Sequence, residues 1–268
     1  MLVFSFIAYY MKRDVNPVTG EVQHVSLTAD QEVALGLESA PQMAAQFGGA
    51  DPDPAAQAEV ERVGRWVVEH SPAKDSPYKF QFTLLRDSET VNAFALPGGP
   101  IFITRGLYRR LENEAQLAGV LGHETGHVVG RHAAEHIAKS QLAQGVMGAV
   151  AVGASDRDHG QAAYMIAAFA TQMAQLRYGR NDELEADKLG VDYMSKAGFD
   201  PRAMVRVMEI LESSSKGGRQ PEFMSTHPNP GNRQQQIKAE IERLYPNGVP
   251  QELKLKGVSG EAAAAPAR

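Results

Sequence analysis

Two histidines four residues apart, His123 and His127, enclose a glutamate, Glu124, in the stretch His-Glu-Thr-Gly-His. Ala115, Leu117, Ala118, Val120 and Leu121 before it and Val128 and Val129 after it suggest a buried helix. On a helix, residues four apart lie about 40° apart around the axis, so both imidazoles can reach one metal ion. Glu124 then stands beside the ion rather than on it, where a zinc hydrolase keeps the base that activates water. The pattern is short and can arise by coincidence among eight histidines. The rest of the chain must supply the rest of a site.

A catalytic zinc usually takes three protein ligands and keeps one position for water. A metzincin-like third histidine belongs six residues after His127, but that position is Ala133. His132 misses it by one and, on a continuous helix, lies about 180° from His123. His132 and His136 are therefore expected to be ordinary helix-surface histidines. The alternative is a carboxylate from a later helix. Asn181-Asp-Glu-Leu-Glu-Ala-Asp187 offers Glu183 and Asp187 on one face, with Glu185 rotated away. Either carboxylate could bind the metal while the other accepts the free N–H of a ligating histidine. Alone, the segment would read as an acidic first turn favoured by the helix dipole.

The elements that must position these groups are legible as patterns. Thr28 and Gln31 suggest a capping box, opening a helix that ends at Gly48-Gly49. Asp53-Pro54 opens a second helix running to about residue 70, with Val60, Val63 and Val67 facing the core. Residues 79–86 alternate as a half-buried strand, and 91–96 and 101–104 flank the turn Pro97-Gly98-Gly99-Pro100. One continuous helix is expected over 114–144, then helices over 161–176, 181–198, from 201 to the loop at 213–218, and 230–245. Strands first and helices after give an α+β class, mostly helical, with a small antiparallel sheet beside a helical body. The expected division is an N-terminal extension over 1–50, one catalytic domain over 51–250 and a low-complexity, disordered tail over 251–268.

Composition is that of an ordinary globular protein: 43% hydrophobic, 22% charged, net charge −5. No basic stripe suggests a nucleic-acid partner. The absence of cysteine excludes disulfides, thiol nucleophiles and cysteine-ligated metal. The apolar start, residues 1–10, is too short to cross a bilayer and reads as the remnant of an export signal or a core-packing segment. No other segment qualifies as a transmembrane span; peripheral membrane association and oligomeric state stay open.

Leu121-Gly-His-Glu-Thr-Gly-His127, Glu183-Leu-Glu-Ala-Asp187 and Ser225-Thr-His-Pro228 together resemble the motifs of the HtpX and CAAX prenyl protease family of zinc metallopeptidases. Asn92-Ala-Phe-Ala-Leu-Pro-Gly-Gly99 is similar to the strand preceding the metal helix there. The resemblance spans about residues 51–245 and is nearest to the soluble periplasmic BepA- and LoiP-type and mitochondrial Oma-type members. Asn16-Pro-Val-Thr-Gly20 resembles the leaders of exported members, and a C-terminal TPR domain is not expected.

This resemblance implies a zincin-like fold, one Zn²⁺ held by His123, His127 and Glu183, Glu124 as general base, and Asp187 behind the ligands. It also implies that His227 stabilises the oxyanion or caps the metal in a closed state, and that Arg233 helps bind the developing negative charge. The expected substrate is an extended polypeptide, added as a strand beside Asn92, Ala93 and Phe94, with residues 142–176 as a lid or simply a packed helix. The function implied is an endopeptidase of the periplasm or cell envelope acting on unfolded or misassembled proteins. The rival is a chaperone-like binding module with the same fold, against which an intact Glu124 argues.

Overall fold

The computed structural model describes residues 13–143, 169, 173, 176–214, 221–228 and 231–253. A short antiparallel hairpin, β1 (Arg13–Val15) and β2 (Val22–His24), precedes helices α1 (Ala29–Gln46) and α2 (Pro54–Glu69). Strands β3 (Gln81–Leu85), β4 (Ala93–Ala95) and β5 (Pro100–Thr104) form the main sheet, followed by the single turn α3 (Arg105–Tyr108). The helical body comprises α4 (Glu114–Val129), α5 (His132–Ala143), α6 (Arg180–Lys196), α7 (Arg202–Ser214), the short α8 (Glu222–Thr226) and α9 (Arg233–Leu244). The chain is α+β and mostly helical. Most of the expected helix at 161–176 and of the lid, the apolar N-terminus and most of the tail lie outside the described residues.

Local chemistry accounts for the starts. Thr28 and Gln31 form a full capping box at α1, and the Asp53 carboxylate accepts from the backbone N–H groups of Ala55 and Ala56 ahead of α2. Asn113 caps α4 by accepting from Gln116 N. Val60, Val63 and Val67 of α2 are wholly buried, each contributing about 1.5–3 kcal/mol relative to an exposed side chain. They pack in one core with Phe82 and Leu84 of β3 and Leu117 and Leu121 of α4.

The sheet corrects one expectation. Its order is β3-β5-β4; β4 pairs antiparallel with β5, but β3 runs parallel to β5, so the sheet is mixed. The tight Pro97–Pro100 turn makes the β4–β5 hairpin, whereas β3 reaches β5 from farther back in the chain. Strand β4 is left at the sheet's edge.

The metal helix is also not continuous over 114–144. It stops at Val129, and the chain turns at Arg131, a non-glycine residue with φ of 56°. The N-terminal hairpin holds this break. Asn16 Nδ2 donates to Val129 O at 2.6 Å, and Gln23 Nε2 donates to Gly130 O. Arg131 reaches Asp14 at 2.7 Å, Glu32 at 2.6–2.8 Å and Leu27 O at 2.8 Å. Strain of order 1–3 kcal/mol at such a φ persists only where surrounding bonds over-determine it, and here six of them do.

Candidate metal centre

Helix α4 is buried along its whole length, and α6 crosses it where both present their smallest residues. A Cβ built on Gly190 would lie 2.9 Å from His123 N, and one on Gly126 3.0 Å from Ala186 O. No larger residue fits at Gly190 without parting the helices. This close approach carries Glu183 and Asp187, on the preceding turns of α6, to the His123 and His127 rings.

His123 Nε2 and His127 Nε2 are 3.0 Å apart, and Glu183 lies 3.6 and 3.5 Å from them. His227 Nδ1 is 3.4 Å from His123 Nε2 and 3.0 Å from Glu183 Oε1. One donor atom from each of His123, His127, Glu183 and His227 lies within 4.8 Å of every other, and all four residues are buried. Tetrahedral ligands about 2.0–2.1 Å from Zn²⁺ sit roughly 3.3–3.4 Å from one another, so the spacing and the nitrogen–oxygen donor set suit such an ion. A second observation agrees. Both carboxylate oxygens of fully buried Glu124, and His227 Nε2, have no hydrogen-bond partner among the described residues. Buried polar groups are rarely left so without a function.

Charge is arranged in layers. Behind the donors, His123 Nδ1 is 2.9 Å from Asp187 Oδ1. Asp187 accepts two 2.7 Å bonds from Arg233 Nε and Nη2, while Arg233 Nη1 lies 2.8 Å from Glu183 Oε2. Burial works against ionising Glu183, but the neighbouring His227, His127 and Arg233 outweigh it and hold the carboxyl well below its usual range. Burial lifts the Glu124 carboxyl, with the nearby His227 and His123 opposing it only in part. Two carboxylates are thus driven apart in basicity, the arrangement expected where one is a ligand and the other a base.

Several residues stand elsewhere than expected. Arg233 is wholly buried and engaged by both carboxylates, Asp187 and Glu183. His132 is not on the surface: it is 1% exposed, with Nδ1 2.9 Å from His127 Nδ1 and Nε2 3.3 Å from Glu185. The break at Gly130–Arg131 turns it inward. His136 is half-buried and pairs with Asp182 at 2.8 Å. Glu185, expected to face away from the metal, does so and meets His132 instead.

Two aromatic rings escaped the sequence reading. Tyr178 stacks on His127 at 3.9 Å between centroids, and Phe223 stacks on His227 at 4.4 Å. Phe223 has a signal in retrospect, four residues before the Ser225–Pro228 histidine; Tyr178 has none.

Of the expected substrate-side residues, Asn92 is buried, its amide donating to Glu222 at 3.2 Å. Phe94 stacks on Phe102 at 4.9 Å and meets Phe47 at 5.2 Å, so its ring belongs to sheet packing. The backbone is more telling. Asn92 O accepts from Thr104 N, and Leu96 N donates to Pro100 O. By the antiparallel alternation, Ala93 and Ala95 direct their N–H and C=O to the outer edge.

Comparison with known proteins agrees with this geometry. The model of Peptidase family M48 matches residues 54–241. The chain is 28% identical over 248 residues to the beta-barrel assembly-enhancing protease of Escherichia coli K12, covering 89% of this chain and 50% of that protein. It is 29% identical over 241 residues to the protein of the same name from Yersinia pestis, covering 88% and 49%. It is 35% identical over 181 residues to the mitochondrial metalloendopeptidase OMA1 of Schizosaccharomyces pombe, covering 67% and 51%. The chain spans about half the length of these relatives.

Proposed function

Because the chain belongs to peptidase family M48, we propose that it is a zinc endopeptidase that cuts extended polypeptide, with His123, His127 and Glu183 as metal ligands. The observation that carries this reading is the four-donor group with a partnerless, buried Glu124 beside it.

A zinc ion held there would polarise the scissile carbonyl and lower the pKa of the attacking water. Glu124, made more basic by burial, takes the proton from that water and passes it to the leaving amine as the C–N bond breaks. His227 Nε2, 3.7 Å from Glu124 Oε1 and free of hydrogen bonds, faces the same space and donates to the developing oxyanion. Its Nδ1 lies among the donors, so the same ring can also cap the site and must swing clear before water enters. Asp187 Oδ1, 2.9 Å from His123 Nδ1, is placed to orient that ring. Arg233 acts through the two carboxylates it grips rather than on substrate.

The outer edge of β4 carries the N–H and C=O groups of Ala93 and Ala95, which are buried here, so an incoming strand pairs with them once that edge is uncovered, with Asn92 fixing where it begins. Backbone pairing of this kind accepts many sequences, which suits unfolded or misassembled proteins as substrates. We place these substrates in the bacterial envelope and the chain in the periplasm, a reading supported by relatives named for β-barrel assembly. No described helix is long and apolar enough to cross a membrane.

The test is to incubate unfolded casein with wild type and with Glu124→Gln, each with and without a chelator. Cleavage by metal-loaded wild type alone supports the peptidase. Equal suppression of aggregation by both proteins, with no cleavage by either, would establish the chaperone-like module instead.

A further inference from the structure

The break in the metal helix leaves one buried titratable ring that the mechanism does not use. His127 directs Nε2 to the donor group, which requires that nitrogen's lone pair and puts its proton on Nδ1. That Nδ1 lies 2.9 Å from His132 Nδ1, so one of the two must donate and the other accept. With the His127 proton already placed, His132 accepts at Nδ1 and carries its own proton on Nε2. Nε2 in turn is 3.3 Å from Glu185 Oε2. One assignment of protons satisfies every ring nitrogen in the chain of contacts.

We infer that His132 and Glu185 are positioning residues that hold the His127 ring in its metal-binding tautomer and orientation; the inference rests on the metal site proposed above. It parallels Asp187 behind His123, with an imidazole inserted between ligand and carboxylate. The local fold is shaped for it. Five residues along an unbroken helix, residue 132 would point about 140° away from residue 127. The left-handed turn at Arg131, clamped by Asp14 and Glu32, brings it back. Gly130 leaves the room: a Cβ there would meet His132 Nε2 at 2.5 Å. Tyr178 stacks on the face of His127, and His132 is the ring's one hydrogen-bonding neighbour at Nδ1 among the described residues.

The test measures zinc affinity in the full chain by competition with a chromophoric chelator, alongside thermal unfolding. His132→Leu removes the acceptor at nearly constant bulk, whereas His132→Asn restores an amide oxygen near the Nδ1 position. The expected result is a loss of about 10–100-fold in affinity for His132→Leu, with His132→Asn recovering most of it. Glu185→Leu, at a side chain 28% exposed, should weaken zinc by a smaller factor and carries the test should His132→Leu fail to fold. Gly130→Ala, which displaces the His132 ring, should follow His132→Leu. Affinities equal to wild type in folded His132→Leu and Glu185→Leu would overturn the inference. So would an equal loss in His132→Asn and His132→Leu, since only packing would then matter. Wild type that binds no zinc would instead overturn the metal site itself.

Discussion

Arg233 and Asp187 are joined by two parallel 2.7 Å hydrogen bonds in the interior, and the same guanidinium reaches Glu183 at 2.8 Å. Removing one member of a buried ionic group leaves its partners charged and unpaired, typically at about 3–5 kcal/mol. Arg233→Ala should therefore destabilise by roughly that amount in denaturant unfolding. Arg233→Lys should recover only part, because an ammonium cannot supply the planar fork. A near-neutral Arg233→Ala would mean that the network does not hold the carboxylates.

The crossing of α4 and α6 depends on Gly190, whose added methyl would strike His123 backbone at 2.9–3.1 Å. Backbone cannot yield as a flexible side chain does. Gly190→Ala should destabilise by about 1–3 kcal/mol, the usual range for overpacking, despite alanine's better helix propensity. It should also weaken zinc binding by pushing Glu183 away from the histidines. Unfolding curves with and without zinc separate the two effects.

Stability should also respond to pH through Glu32. Burial is the main cause that pushes its carboxyl up to about 7, against the pull of Arg131. Its folded value therefore exceeds the unfolded one near 4.5, and the folded state binds the extra proton between them. This contribution is fully present below about pH 4.5 and is lost as pH rises through about 7. It is worth no more than about 3 kcal/mol. In Glu32→Gln the corresponding fall in unfolding free energy should disappear. An unchanged slope would show that the proton is not held at Glu32.

How far the sequence discloses this architecture depends on the range of the interactions involved. The capping box of Thr28, the Asp53-Pro54 start and the valine stripe of α2 are local, and their patterns read correctly. His123, Glu124, His127 and Glu183 were also visible, because helical spacing and the order of motifs mark them. His132 departs from the helix-surface expectation because nothing in Gly130-Arg131-His132 announces that an arginine will adopt a left-handed conformation. That turn is enforced by Asp14, Asn16, Gln23 and Glu32, all far back in the chain within residues 1–50. The parallel β3–β5 pairing and the burial of Arg233 likewise depend on distant partners. Strands of three residues, as in the N-terminal hairpin, are too short to show a period at all.

The most direct measurement is the zinc content of the purified chain and of Glu183→Ala, with folding checked by unfolding curves. Two histidines from α4 and a carboxylate from α6 sharing one ion predict about one zinc per wild-type chain, with zinc lost from a folded Glu183→Ala. Stoichiometric zinc retained in Glu183→Ala would contradict the account.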